Sequence, residues 1–398
     1  MKIFLAGPTN LEMLEDLIGR KVGVKVHSFP LTAELVRGYM AAGHDVRIGV
    51  FSQELNQKQM LIESDCLSIA IVRSRRARES LIDWFGREVK GMSDAIVEWQ
   101  PDIVHAHWTY EYARAAIRSG FPSVITAHDV PSSLFSLMRP RYYWWPKLLQ
   151  GFIVSRRSRM MTGQSPYTVE GWKRGMKRIR PMALVPNGVS SSLLQLREDR
   201  HPINQLEPTF ASVSNGFAGL KNISSLIDAF SELKCEYPDA RLLLYGSGQE
   251  CQGEAEMYAQ RAGKQIGIQF IGSMKHESLL AELAGQCDVF VHPSLRESFC
   301  VSVAEAMALG IPVVAGEKAG AIPWLLDEGR AGILCDVTCP SSICAAMKKA
   351  LQEPEIGMRA KGRIAEHFTI EVIIDMYLKL LYEQAALQTN SKQLRNSR

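Results

Sequence analysis

Pro293-Ser294-Leu295-Arg296-Glu297-Ser298-Phe299-Cys300-Val301-Ser302-Val303-Ala304-Glu305-Ala306-Met307-Ala308-Leu309-Gly310-Ile311-Pro312-Val313-Val314 changes character repeatedly within a short span. Asp288–His292, just upstream, is a short apolar strand. Pro293 and Ser294 open a loop. Phe299–Leu309 has helical apolar spacing and stops at Gly310, a residue free to take the left-handed cap conformation. Pro312–Ala315 is a strand again. Strand, loop, helix, glycine and strand in that order form the repeating unit of a parallel sheet covered by helices.

The same grammar extends in both directions. Upstream, Thr209–Val213 is a strand, Asn222–Tyr237 a helix, Arg241–Tyr245 a strand closed by Gly246-Ser247-Gly248, and Gln269–Ile271 a further strand. The first half repeats it: strand Lys2–Ala6, helix Ser28–Ala42 ending at Gly43, and strands Asp45–Phe51, Asp102–His107 and Ser123–His128. His201–Pro208 is polar and proline-bounded and reads as a linker. The expected organisation is α/β: a doubly wound domain over 1–200, a second over 201–368, a helix over 369–388 returning to the first domain, and a disordered tail over 389–398. Ligands of such sheets sit beyond the carboxyl ends of the strands, so the residues just after each strand carry the chemistry.

Composition narrows the classes. Of 398 residues, 46% are apolar, enough for a core in each half. The N-terminal apolar run is broken by Gly7 and Pro8, and no stretch approaches the ~18 apolar residues of a membrane span. The eight cysteines include no C-x-x-C pair and read as reduced thiols, which points to the cytoplasm. The net charge of +4 is uneven. Between Arg139 and Arg180 lie eleven lysines and arginines against Glu170 alone, around Tyr142-Tyr143-Trp144-Trp145. Such a stretch suits an anionic membrane face or charged acceptor; pairs of solvated helix faces around a buried aromatic cluster are the competing reading. No nucleic-acid partner is expected.

Glu297 and Glu305 are eight residues apart. On a continuous helix that is a rise of ~12 Å, too far for a glycosidase carboxylate pair at roughly 5–9.5 Å. It suits gripping hydroxyls at two ends of one elongated ligand, with amides near Ser298–Val301 as further donors. A helix-terminal charge and a solvated glutamate would give the same spacing. His105 and His107 share a strand face, with His128 the obvious third member, but a metal site is not expected there.

Taken together these stretches resemble the family-4 glycosyltransferases, which have the GT-B fold and retain anomeric configuration. Glu297 and Glu305 match their E-x7-E motif. Val185-Pro186-Asn187-Gly188-Val189, Pro101–His107, Thr126-Ala127-His128-Asp129 and Tyr237–Leu242 followed by Gly246-Ser247-Gly248 match further segments in order, across about residues 1 to 385. The resemblance implies two Rossmann-like domains facing across a cleft. It places donor-sugar hydroxyls on Glu297, ribose on Glu305, and the diphosphate on Lys221. His128 would stand beside the transferring sugar, and His107 would line the acceptor side. Gly23, Asn215, Gly216, Gly246, Ser298, Phe299, Cys300 and Val301 complete the implied donor site.

The sequence departs from the pattern at three places. Val22 replaces one of two loop glycines beside Gly23. Asn215 stands where an arginine is expected, with Arg296 a second cation nearby. Cys300 stands where glycine is usual. The implied function is transfer of a sugar from a nucleoside diphosphate sugar, a UDP-sugar first, to a hydroxyl of a glycan or lipid-linked acceptor, without metal or cofactor. A sugar-nucleotide epimerase and a non-catalytic scaffold are the alternatives.

Overall fold

The computed structural model describes residues 1–64, 67–137, 141–196 and 204–396, with the side chains of 141–143 and 388–396 outside the description. Cys66, Arg139 and the start of the expected linker lie outside it too. The chain forms two compact units, Met1–Pro186 with Ile373–Arg398, and Asn187–Val372.

Unit 1 holds β1 (Lys2–Ala6), β2 (Asp45–Ser52), β3 (Gln59–Glu63), β4 (Ser68–Arg73), β5 (Ile103–His107), β6 (Ser123–Ala127), β7 (Met160–Gly163) and β8 (Met182–Leu184). Their order is β3-β4-β2-β1-β5-β6-β7-β8, parallel throughout except for the antiparallel edge pair β3–β4. The central strands are apolar at most positions and buried almost throughout. Ile3, Phe4, Leu5, Val104 and Ile125 are fully enclosed, as expected of strands covered on both faces.

Unit 2 holds β9 (Thr209–Val213), β10 (Arg241–Tyr245), β11 (Ile268–Gly272), β12 (Val289–His292), β13 (Val313–Gly316) and β14 (Ile333–Cys335). Their order is β11-β10-β9-β12-β13-β14, all parallel. One side packs on Ile223, Leu226, Phe230, Ile343 and Met347, the other on Val303, Met307, Leu325 and Phe368. The order reverses direction beside β9, which places a switch point between β9 and β12, where doubly wound sheets bind ligands.

Three boundaries differ from expectation. Unit 1 ends at Pro186 rather than near 200, because Val189 pairs with the 368–370 segment (Val189 N to Phe368 O 2.9 Å, Ile370 N to Val189 O 2.9 Å) and Leu193 joins the core of unit 2. The last helix runs Ile370–Asn396, through most of the stretch expected as a disordered tail; no glycine or proline interrupts it. It anchors to unit 1 through Tyr377, fully buried against His105 and Thr126. The helix after β12 begins at Val301, not Phe299. Cys300 has φ 84° and ψ 85°, outside the helical region, so Glu297 stands on a loop and only Glu305 on the helix.

Candidate functional site

Unit 2 gathers its charged residues beyond β9, β10 and β12. β9 ends at Val213, and Ser214, Asn215 and Gly216 turn sharply after it. Gly246, at the end of β10, has φ 111°, and a Cβ there would stand 2.0 Å from the Ser214 carbonyl oxygen. Glycine is therefore required for the two strand ends to lie side by side. Gly216 N donates to Ser247 O (2.9 Å), and Asn215 Oδ1 accepts from Ser247 N at 3.4 Å. Asn215 is thus engaged in holding the turn together.

Lys221 ends the short turn Gly219–Lys221. Leu295 N and Ser294 Oγ both donate to Leu220 O (2.8 and 2.9 Å), and Asn222 Nδ2 donates to Pro293 O (3.1 Å) and Val337 O (2.8 Å). These bonds lash the lysine turn to the loop carrying Glu297. Lys221 Nζ lies 2.7 Å from Glu297 Oε1. The Glu297 backbone is held as well: its N donates to Ala319 O (3.2 Å) and its O accepts from Ala321 N (2.9 Å).

His292, the last residue of β12, was not anticipated. It is 2% exposed, and its Nε2 lies 3.0 Å from the same Glu297 oxygen and 3.3 Å from Cys300 Sγ. A carboxylate only accepts, so Nε2 carries a proton. Burial by itself would raise the Glu297 carboxyl, but the hydrogen bond and charge of His292, with the Lys221 ammonium, outweigh it and bring it down to about 2. Burial would likewise lower His292, but the neighbouring Cys300 Sγ and then the Glu297 carboxylate outweigh it and bring it up to about 9. Near neutral pH the cluster is a carboxylate between two cations. The one sequence signal for His292 is a histidine closing a strand just before Pro293.

His292, Glu297 and Cys300 bring three potential ligand atoms within 4.8 Å of one another. The ammonium of Lys221 already sits on the Glu297 oxygen, and His292 Nδ1 has no partner among the described residues. Metal-bound histidines are normally braced through that second nitrogen, so this donor set does not fit a metal centre.

The remaining donor residues fall into two groups. Glu305 is 9% exposed and its Oε1 lies 2.7 Å from His276 Nε2, a second histidine the sequence did not flag. Cys300, Ser298 and Val301 are partly accessible at the mouth of helix Val301–Ala308. Phe299 is not: it is 1% exposed and packs edge-on against Trp324 and Phe368. Its side chain is core, because the loop must anchor itself before the helix starts. Arg296 is exposed and makes no ion pair among the described residues.

Unit 1 gathers histidines instead. His105 and His107 lie on β5, and His128 follows β6. All three are buried, and burial is the main cause that lowers each: His105 to about 3, His128 to about 4, and His107 in the same direction. His107 Nδ1 lies 2.9 Å from His128 Nε2, and Gln164 Oε1 3.1 Å from His128 Nδ1. His128 is therefore neutral with both ring nitrogens occupied, where the resemblance implied a group beside the transferring sugar. His107 is wholly enclosed. Gly23 lies in an exposed loop with open space where a Cβ would stand. Beside these, a cleft of about 640 Å³ in unit 1 is lined by His27, Phe51, Glu54, Phe85, Tyr112 and Lys147 among others.

The basic stretch is less uniform than its composition. Arg178 is buried: its guanidinium donates to Ser155 O (2.9 Å), Ser158 Oγ (2.9 Å) and Pro181 O (3.1 Å). It is a structural clasp, whereas Arg156, Arg157, Lys173, Arg174, Lys177 and Arg180 are exposed. Trp145 and Ile179 are exposed beside them, at 52% and 98%.

Comparison with known proteins bears on the family and the fold. Residues 197–366 match the model of the glycosyl transferases group 1, and residues 31–193 that of glycosyltransferase family 4. N-acetyl-alpha-D-glucosaminyl L-malate synthase of Bacillus anthracis is 28% identical over 50% of this chain and 51% of its own length. The chain thus spans about half the length of that curated relative. Among solved structures, sucrose-phosphate synthase of Thermosynechococcus elongatus aligns with TM-score 0.76 at 19% identity, over 98% of this chain and 100% of that one. HepE of Anabaena, in complex with UDP and glucose, aligns with TM-score 0.68 at 17% identity, over 96% and 100%. These likenesses carry the GT-B fold, and the two family models, one matching each half of the chain, carry the membership: the chain belongs to the group 1, family-4 glycosyltransferase family.

Proposed function

We propose that the protein transfers a sugar, with retention, from a nucleoside diphosphate sugar to a hydroxyl of a glycan or lipid-linked acceptor. UDP is the first base to test, since a fold neighbour was solved with it. The observation that carries the reading is the Lys221–Glu297 pair, 2.7 Å apart and braced by His292, at the switch point of the unit 2 sheet. An ammonium that can move from Glu297 to a diphosphate, and a carboxylate that then faces sugar hydroxyls, are what a departing nucleoside diphosphate and its sugar require.

Glu305 would hold the ribose, and the amides at the mouth of helix Val301–Ala308, with exposed Arg296, would add to the phosphate field in place of the arginine missing at 215. In the transfer, the acceptor oxygen bonds to the anomeric carbon, the bond from that carbon to the diphosphate oxygen breaks, and the acceptor proton passes to the leaving phosphate. No metal takes part in this scheme. The acceptor sugar would use the unit 1 cleft, whose aromatic and carboxylate lining suits a polyol.

The exposed cations of 156–180, with Trp145 and Ile179, support working against an anionic membrane face from the cytoplasmic side. Among the described residues no helix is long and apolar enough to cross a membrane.

The test is thermal stability of the purified chain with UDP, GDP, ADP and their sugar conjugates. Stabilisation by one nucleotide, lost in Lys221→Ala, is expected. No shift with any of them would move the scaffold reading forward. Interconversion of a sugar nucleotide without acceptor would favour an epimerase.

A further inference from the structure

Around His128, hydrogen-bond roles can be assigned atom by atom. The backbone carbonyl of His128 only accepts. Gln164 Nε2 lies 2.6 Å from it, so the amide NH2 faces the carbonyl and Oε1 turns to the imidazole. An amide oxygen only accepts, so His128 Nδ1 carries a proton. The ring is enclosed and uncharged, which leaves Nε2 as a lone pair. His107 Nδ1, 2.9 Å away, must therefore donate to it. His107 is uncharged too, so its own Nε2 is a second lone pair, buried and without a partner among the described residues.

His105, in ring contact with His107 at 4.4 Å, takes the opposite form. Thr162 Oγ1 donates to Thr126 Oγ1 (2.8 Å), and Thr126 Oγ1 donates to Tyr377 OH (3.2 Å). Thr126 has one lone pair left. His105 Nε2, at 3.0 Å, fills it by donating, so the Tyr39 hydroxyl donates to His105 Nδ1 at 2.9 Å.

We infer that Gln164 is a positioning residue that locks His128 and His107 as neutral, Nδ1-protonated imidazoles, so that neither ring offers the acceptor's proton an open lone pair. The lone pair of His128 is already filled by His107, and that of His107 is sealed from solvent. The consequence for catalysis rests on the proposed function: the two locked imidazoles take no part in removing the proton of the attacking hydroxyl. The tautomer lock itself does not depend on that reading.

Long-range proton–nitrogen correlation spectra of the nitrogen-15-labelled full chain test it, since the protonated and unprotonated imidazole nitrogens are spectroscopically distinct. At neutral pH, His107 and His128 are expected in the Nδ1–H form and His105 in the Nε2–H form. Gln164→Met removes both amide contacts at similar volume and should mix the tautomers of His128 and His107 while leaving His105 unchanged. Nε2–H on His128 in the parent chain overturns the inference, and needs no variant to fold. Unchanged tautomers in Gln164→Met overturn it equally. Gln164→Met is also expected to lower kcat more than it raises the donor KM. Mixed tautomers with unchanged kcat would support the lock and count against the place of His128 beside the substrate.

Discussion

His128 and His292 make a controlled comparison within one chain. Both close or follow a central parallel strand, and both are nearly sealed from solvent, at 9% and 2% exposure. Burial pushes both imidazoles toward the neutral form. For His128 the main opposing influence is the neutral amide of Gln164, and burial wins, to about 4. For His292 the opposing influences are Cys300 and the carboxylate of Glu297, and they win, to about 9. Partner chemistry, not depth, therefore decides the charge. The same α/β framework carries an uncharged hydrogen-bond chain in one unit and a charged triad in the other.

The largest expected effect comes from removing the carboxylate that creates the difference. Glu297→Ala should lower transfer by about 100- to 1000-fold, as loss of a transition-state contact does, while nucleoside diphosphate binding persists. Steady-state transfer and calorimetric titration with the nucleotide separate the two. His292 should then be less readily protonated than in the parent, with Cys300 the influence that still raises it. Retained activity would remove Glu297 from the sugar site.

Lys221→Ala should weaken nucleoside diphosphate binding by about 10- to 100-fold, the worth of a charge-assisted hydrogen bond. It leaves His292 as the one cation on Glu297 among the partners seen, so the carboxyl should stay ionised at neutral pH. Unchanged affinity would break the assignment of phosphate to Lys221.

The charged triad also sets a stability signature that the neutral chain lacks. His292 is raised from 6.5 in the unfolded chain to about 9, so its contribution is full below about 6.5 and is lost as pH rises through about 9. Glu297 is lowered from 4.5 to about 2, so its contribution is present above about 4.5 and lost as pH falls toward about 2. His292→Gln should flatten the alkaline limb of a melting-temperature profile, by roughly 2–4 °C per kcal/mol removed. An alkaline limb identical to the parent's would show that His292 is not protonated in the folded state.

Much of this framework is legible in the amino-acid sequence, and the limits have physical causes. β1, β9 and β10 are legible residue for residue because a strand buried on both faces is mostly apolar, and here each has a glycine within three residues of its end. β3, β7, β8 and β14 are not, being short or at the sheet edge, where side chains carry less of the pattern. Lys221 and Glu297 are legible as chemistry, but their contact is not, since it is made by loop bonds from Leu220 and Asn222. His292 is hidden because a histidine ending an apolar strand looks like core until the glutamate five residues on folds back over it. The left-handed turn at Cys300 could not be foreseen from a residue that seldom adopts it.

The smallest expected effect lies at the far end of the same helix. His276 is raised, first by its hydrogen bond to Glu305, but its side chain is 53% exposed. Solvent screens such a pair, and exposed pairs are worth about 0–1 kcal/mol. His276→Ala should therefore raise the donor KM by only about two- to fivefold. The sign of its pH dependence is fixed. Because the partner is favoured while His276 is protonated, the difference between parent and variant should be greatest at mildly acid pH and fade as pH rises past the ordinary histidine range. A KM ratio that grows with pH would mean that the neutral imidazole, not the ion pair, is what the donor uses, and Glu305 would then be oriented by its own burial in helix Val301–Ala308 rather than by His276.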